Sequence, residues 1–252
     1  MVQCRRMTHR DTRCKREVSS KNGILYPRGA RLPFYCPDHL AVGLENPTFR
    51  CLKYRDRAID YDAYVPFDLE DRTQVLLRER MRKPPSAGDE AGFIYGLQIE
   101  DINNPDLVHI KVGRTNAMNR RMAEHLHKCP SGRPLLLGYY PRPHGAAQAE
   151  LSLARIKPGV KVPFADMLEE LVHLELADIA SNALPSGAVK PGERRGVNRR
   201  RRPCVDCGRT HEEIFTFRRL PGAQRGREWE VLVLPVIEAW GAYVSTLVAR
   251  AT

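Results

Sequence analysis

Apolar and polar positions alternate most clearly in the middle of the chain. The run Gly92 to Ile99 reads as a first strand and Val108 to Val112 as a second, joined by a loop that holds Asn103, Asn104 and Pro105. These two read as an antiparallel pair. A third strand is expected at Leu135 to Tyr140. Between the second and third strands, Asn116 is a suitable cap for a helix running to about His127. The periodicity then changes. Met167, Leu168, Leu171, Val172, Leu174 and Leu176 form a wide apolar face on a helix from about Phe164 to Ile179.

Two further helices flank this centre. Phe67 to Lys83 places Val75, Leu76 and Met81 on a narrow apolar face of a charged rod, and Pro84 with Pro85 stops it ahead of a linker. Val231 to Ala249 is nineteen residues with one charge, Glu238. That length approaches a membrane span. A mid-span carboxylate is costly in lipid, so the expectation is a short buried strand to Leu234 and a buried helix from Pro235, with no membrane partner. The predicted fold class is α+β: a small antiparallel three-stranded sheet flanked by helices, with cysteine-rich extensions. Four parts follow: an N-terminal module at 1–60, a helix and linker at 61–91, the central domain at 92–217 and a helical extension at 218–252.

Composition adds charge and thiols to this outline. There are 41 Lys and Arg against 30 Asp and Glu, a net charge of +11, and 42% of residues are hydrophobic. That apolar share excludes a wholly disordered basic tail. Met1 to Arg16 is polar and cationic, without the apolar run of a secretory signal, so an intracellular location is expected. In a reducing compartment seven cysteines point to metal ligation or buried thiols rather than disulfides.

Two cysteine groups stand out. Cys4 and Cys14 precede the pair Cys36-x2-His39, and three thiolates with one imidazole suit a tetrahedral structural zinc. Such a site would stabilise a segment with no visible core. The alternative is a set of separate reduced thiols and a surface histidine. Further on, Cys204, Cys207 and His211 have zinc-ligand spacing, with Cys129 as the leading fourth ligand and His173 as the next candidate. Two structural zinc ions are therefore expected. Cys51 is left over and reads as a buried thiol.

The charge is concentrated as well. Glu193 to Arg202 holds six arginines, among them Arg199, Arg200, Arg201 and Arg202. Arg5, Arg6, Arg10, Arg13, Lys15 and Arg16 form a second basic group. Such runs contact phosphates with a steep salt dependence, and they also serve nuclear import. Few aromatics interleave with them, so duplex DNA is the expected partner rather than a stacked single strand.

GFIYGLQIE followed by HIKVGRTNAMNRRMAEH resembles the GIY-YIG nuclease superfamily, and more closely its fungal branch with a phage-derived DNA-binding domain. Phe93-Ile94-Tyr95 stands for the first motif and Lys111-Val112-Gly113 for the second. Arg121 lies eight residues past Gly113, where the superfamily has its arginine. The helix bearing LEELVHLEL resembles the one that supplies an acidic residue, with Glu169 or Glu170 as the candidate. CVDCGRTHEEIF is similar to the closing Cys/His segment of that branch.

The resemblance implies roles. Tyr95 is linked to base function, Arg121 to phosphate stabilisation and Glu169 to a divalent ion, Mg²⁺, if the cleft cleaves. Lys111 takes the place of the usual second tyrosine; it suits a phosphate contact but is a poor base. Lys111, Arg114, Arg120 and Arg121 are the expected backbone contacts. Taken singly, each has a plain alternative: Tyr95 packed under the sheet, Arg120 and Arg121 on a solvated helix face, Glu169 near a helix N-terminus. Three functions remain in view: a DNA-binding protein of the nucleus with weak or absent nuclease activity, an active Mg²⁺-dependent endonuclease, and a zinc-knuckle module that binds protein.

Overall fold

The computed structural model describes residues 2–4, 13–18, 35–45, 48–49, 59–100, 104–130, 134–142, 159–182, 204, 206–208 and 213–249. Cys51, Asn103, His211 and Arg199 to Arg202, singled out in the sequence, lie outside these residues, as do Arg5, Arg6 and Arg10. Elements follow in the order β1 (Val2–Gln3), β2 (Glu17–Val18), α1 (Pro37–Glu45), β3 (Thr48–Phe49), β4 (Ile59–Asp60), α2 (Asp71–Arg82), β5 (Phe93–Ile99), β6 (Leu107–Thr115), α3 (Met118–Lys128), β7 (Leu135–Tyr140), α4 (Ala165–Asn182), β8 (Ile214–Arg218) and α5 (Leu234–Ala249).

The class is α+β, but the central sheet has four strands and not three. Its order is β7-β5-β6-β8, antiparallel throughout. The additional strand, IFTFR, is short, yet its first four residues are buried, and it pairs with β6 from Leu107↔Arg218 to Lys111↔Ile214. Burial on both faces gives little polar alternation, which is why this strand is faint in the sequence.

Strand alternation divides the core. Phe93, Tyr95 and Leu97 cluster with Met118 and Met122 of α3 and with Leu136 and Tyr139 of β7. Ile94, Ile110 and Val112 join the larger cluster built by α2, α4 and α5, which extends to Cys4, Cys14 and Cys36. Helix α4 lies at its centre, with Met167, Leu168, Leu171, Val172 and Leu176 all fully buried.

Helix starts differ from the expectation in an instructive way. Asn116 does not cap α3: its side-chain amide donates to Glu90 at 3.3 Å, while Thr115 Oγ1 accepts the Ala117 N–H at 3.0 Å. The α4 N-terminus is capped from the linker. Asp89 accepts the N–H groups of Asp166 and Met167 at 2.8 and 2.9 Å, satisfying two donors that have no partner within the helix.

The strand expected up to Leu234 is helical instead. A π-turn over Trp229–Val233 runs into α5, and the Leu234 N–H reaches back to the Trp229 carbonyl. Pro235 follows at once. A proline inside a helix lacks one N–H and its ring crowds the carbonyl four residues back; the wider turn just before it relieves that crowding. Trp229–Val248 is long and apolar enough to cross a membrane by length and composition. In this fold Trp229, Val233, Ile237, Trp240, Tyr243 and Val244 are buried, and α5 packs on α4 and β7.

Two glycines make room for Trp229. Gly96 and Gly138 are cross-strand partners on β5 and β7. A Cβ on Gly96 would meet the Trp229 ring at 2.2 Å, and one on Gly138 would meet it at 2.4 Å.

Candidate functional site

Tyr95 lies at the centre of β5, fully buried, with Gly113 as its partner on β6. Its ring crosses the backbone there, and its hydroxyl meets two groups of α3. Arg121 Nε–H donates to the phenol oxygen at 3.0 Å, and His125 Nε2 lies 2.7 Å from it. Arg121 and His125 are one helical turn apart, so both reach the same point. Burial pushes the Tyr95 pKa up to about 12, against the opposing charge of Arg121. Tyr95 is thus both packed under the sheet and engaged with the Arg121 guanidinium and the His125 ring.

Alternation puts Lys111 on the face that carries Tyr95 and Leu97. Lys111 is 5% exposed and its ammonium pairs with the Glu213 carboxylate. Glu213 sits just before β8, where its backbone carbonyl accepts the Val112 N–H at 3.0 Å. Burial works against its charge, but Lys111 above all, with His173 and Arg121, holds its pKa below the usual carboxylate value. Sequence reasoning passed over Glu213. Its one signal was position, directly ahead of the short apolar run IFTFR.

Glu169 is on α4, with its side chain 5% exposed. Oε1 accepts the Arg114 N–H at 3.0 Å, and Oε2 lies 3.4 Å from the Arg114 guanidinium. The same guanidinium pairs with Asp166 at 2.7 Å. Glu170 is turned elsewhere and pairs with Arg80 of α2. Arg120 is exposed and 3.8 Å from Glu124; Arg121 also pairs with Glu124, at 3.1 Å. Tyr95, Arg121, His125 and Lys111 therefore share one face of the sheet, with Glu213 against Lys111. Glu169 and Arg114 adjoin them at the end of β6, and both Glu213 and Glu169 act to raise the Tyr95 pKa.

Both cysteine groups assemble. In Cys4, Cys14, Cys36 and His39 the ligand atoms all lie within 4.8 Å of one another. His39 Nδ1 is 3.3 Å from the Cys4 sulfur and 3.4 Å from that of Cys36. Cys36 precedes the first turn of α1 and His39 lies in that turn, which is how a C-x2-H pair meets one point. Cys129, the residue after α3, joins Cys204 and Cys207 within the same limit. Gly208, with φ +67, closes the turn that follows Cys204, and its N–H reaches the Cys204 carbonyl at 2.8 Å. His173, the alternative fourth ligand, is not in this group; its Nε2 lies 3.0 Å from the Val112 carbonyl and its ring packs on Phe215. Each of the two groups is able, by geometry, to hold a metal ion.

A family model described as Meiotically up-regulated gene 113 matches residues 107–243, more than half of the chain. The chain belongs to the Meiotically up-regulated gene 113 family. The matched region runs from the start of β6 into α5. It takes in Lys111, Arg121, Glu169 and Glu213 and the thiols of Cys129, Cys204 and Cys207. For this member of the Meiotically up-regulated gene 113 family, Tyr95 and the first Cys/His group lie outside the matched region. No curated protein and no solved structure matches the chain.

Proposed function

We propose that this protein binds duplex DNA in the nucleus through a GIY-YIG-like cleft that handles phosphate with weak or absent cleavage. One observation carries the reading: Arg121 and His125 of α3 converge on the Tyr95 hydroxyl across the same face that holds Lys111. A phosphodiester placed there meets a guanidinium for its charge and a phenol held in one orientation. His125 Nε2, 2.7 Å from the phenol oxygen, holds the hydroxyl from its other side. The exposed Arg13, Lys15 and Arg16 and the arginine-rich run at Arg199 to Arg202 add sequence-independent attraction.

Cleavage is a different matter. A catalytic Mg²⁺ wants a carboxylate oxygen facing an open, hydrated position. Both oxygens of Glu169 are engaged by Arg114, and the side chain is buried, so these residues do not fit that ion as arranged.

The two Cys/His groups fit zinc in donor type and closeness: three thiolates and an imidazole in one, three thiolates in the other. Bound there, zinc would serve as a structural crosslink. The first ion would tie Cys4 and Cys14 to the start of α1; the second would tie the end of α3 to the segment that leads into β8.

Incubation of the full chain with supercoiled DNA and Mg²⁺ tests the reading. Salt-sensitive retention of DNA without robust nicking is expected. Metal-dependent nicking that disappears in both Arg121→Ala and Glu169→Gln would establish an active endonuclease instead, and no retention at low salt would favour a protein-binding module.

A further inference from the structure

Of the cations facing the cleft, Lys111 is the most deeply buried, and its ammonium is already paired with an acid from this same chain. We propose that Glu213 is a built-in competitor for phosphate: its carboxylate occupies the anion position at Lys111, and a DNA phosphate gains that cation only by displacing it. The proposal rests on the cleft being a phosphate site, and it names the residue that sets its affinity.

Three observations lead to it. The first is the pairing itself, which joins a lysine on β6 to an acid 102 residues later. Second, Glu213 is held by its backbone, through its carbonyl and the Val112 N–H, so its side chain can leave Lys111 without unpairing the strand. Its side chain is 28% exposed, against 6% for Lys111, so the acid is the partner with somewhere to go. Third, Arg121 of the cleft is also matched with an acid, Glu124, and Arg114 at the end of β6, whose side chain alternates to the other face, is matched with Asp166 and Glu169. A cleft neutralised in this way favours a ligand that arrives with several phosphates and is tethered by basic segments elsewhere. A lone phosphate must displace an intramolecular acid at high effective concentration, and gains little.

The test measures affinity for a short duplex by fluorescence anisotropy, using the full chain, Glu213→Gln, Glu213→Ser and Lys111→Met/Glu213→Gln. Either single variant should bind about tenfold tighter than wild type. Each should also show a steeper salt dependence, by about one additional phosphate contact. The double variant should lose that gain. Wild type that binds duplex while both single variants bind equally or more weakly would overturn the proposal, since Glu213 would then be holding Lys111 in place. If none of the four binds duplex, the DNA reading itself fails. Inorganic phosphate followed by ³¹P NMR then decides the competitor: tighter binding by Glu213→Gln supports it and equal binding overturns it.

Discussion

Tyr95 and Gly113 are cross-strand partners, and the tyrosine hydroxyl occupies the space a side chain at 113 would need: a Cβ there would lie 2.7 Å from the oxygen and 2.9 Å from the ring. The ring is rigid, and its hydroxyl is held from the far side by Arg121 and His125. Gly113→Ala should therefore push Tyr95 off both partners and cost about 1–3 kcal/mol of stability. Denaturant unfolding measures the cost, and the His125 ring resonances in NMR report the lost contact. Resonances unchanged from wild type would show that the ring tolerates the methyl group.

The opposite face of the sheet makes a sharper demand. A Cβ on Gly96 would reach the buried Trp229 indole at 2.2 Å, with no flexible end to yield. Gly96→Ala should cost more than Gly113→Ala, about 3 kcal/mol or above, by prying α5 from the sheet. Tryptophan emission should shift to the red as Trp229 meets water, and the unfolding midpoint should fall. An alanine variant as stable as wild type would remove Trp229 from its place as the anchor of this helix.

Glu175 on α4 accepts the Trp240 Nε1–H at 2.7 Å, and burial, aided by Asp68 and Asp178, raises its pKa from an ordinary 4.5 to about 7. Between these values the folded chain keeps a proton that the unfolded chain has released. This contribution to stability is complete below pH 4.5 and is lost as the pH rises through about 7. Glu175→Gln keeps an acceptor for Trp240 and cannot ionise. Its unfolding midpoint should thus fall less than wild type's between pH 5 and pH 8, with a difference of up to about 3 kcal/mol. Parallel midpoints for the two proteins would refute the assignment.

Metal analysis should give two zinc ions per chain. Cys36→Ser should lose one and Cys207→Ser the other, with each variant melting lower than wild type. A chelator should lower the melting temperature of wild type and change each variant less. Zinc absent from the purified protein would remove the structural crosslinks from the account.

Local pattern carried much of this architecture. Strands β5 and β7 were legible as short apolar and aromatic runs, and α4 from its wide apolar face, because each of these signals lies within one element. What was missed depends on contacts between distant segments. Asp89 caps α4 from 77 residues away, and Glu213 reaches Lys111 across 102. The run VLVL at Val231 to Leu234 has strand-like composition, but the position of Trp229 in the groove over Gly96 and Gly138 sets it in a helical turn. In the cleft, the order of the motifs was enough to bring together Tyr95, Arg121 and Lys111. Weak cleavage was expected from Lys111 as a poor base; the engagement of Glu169 by Arg114, which argues the same way, needed three dimensions.

Duplex affinity of the full chain, compared with Arg121→Ala and Tyr95→Phe at two salt concentrations, tests the central claim most directly. Arg121→Ala should bind about tenfold more weakly at low salt, with a shallower salt dependence, since a phosphate cation is gone. Tyr95→Phe keeps that cation and should remain within about threefold of wild type. Equal binding by wild type and Arg121→Ala at both salt concentrations would contradict a phosphate-binding cleft.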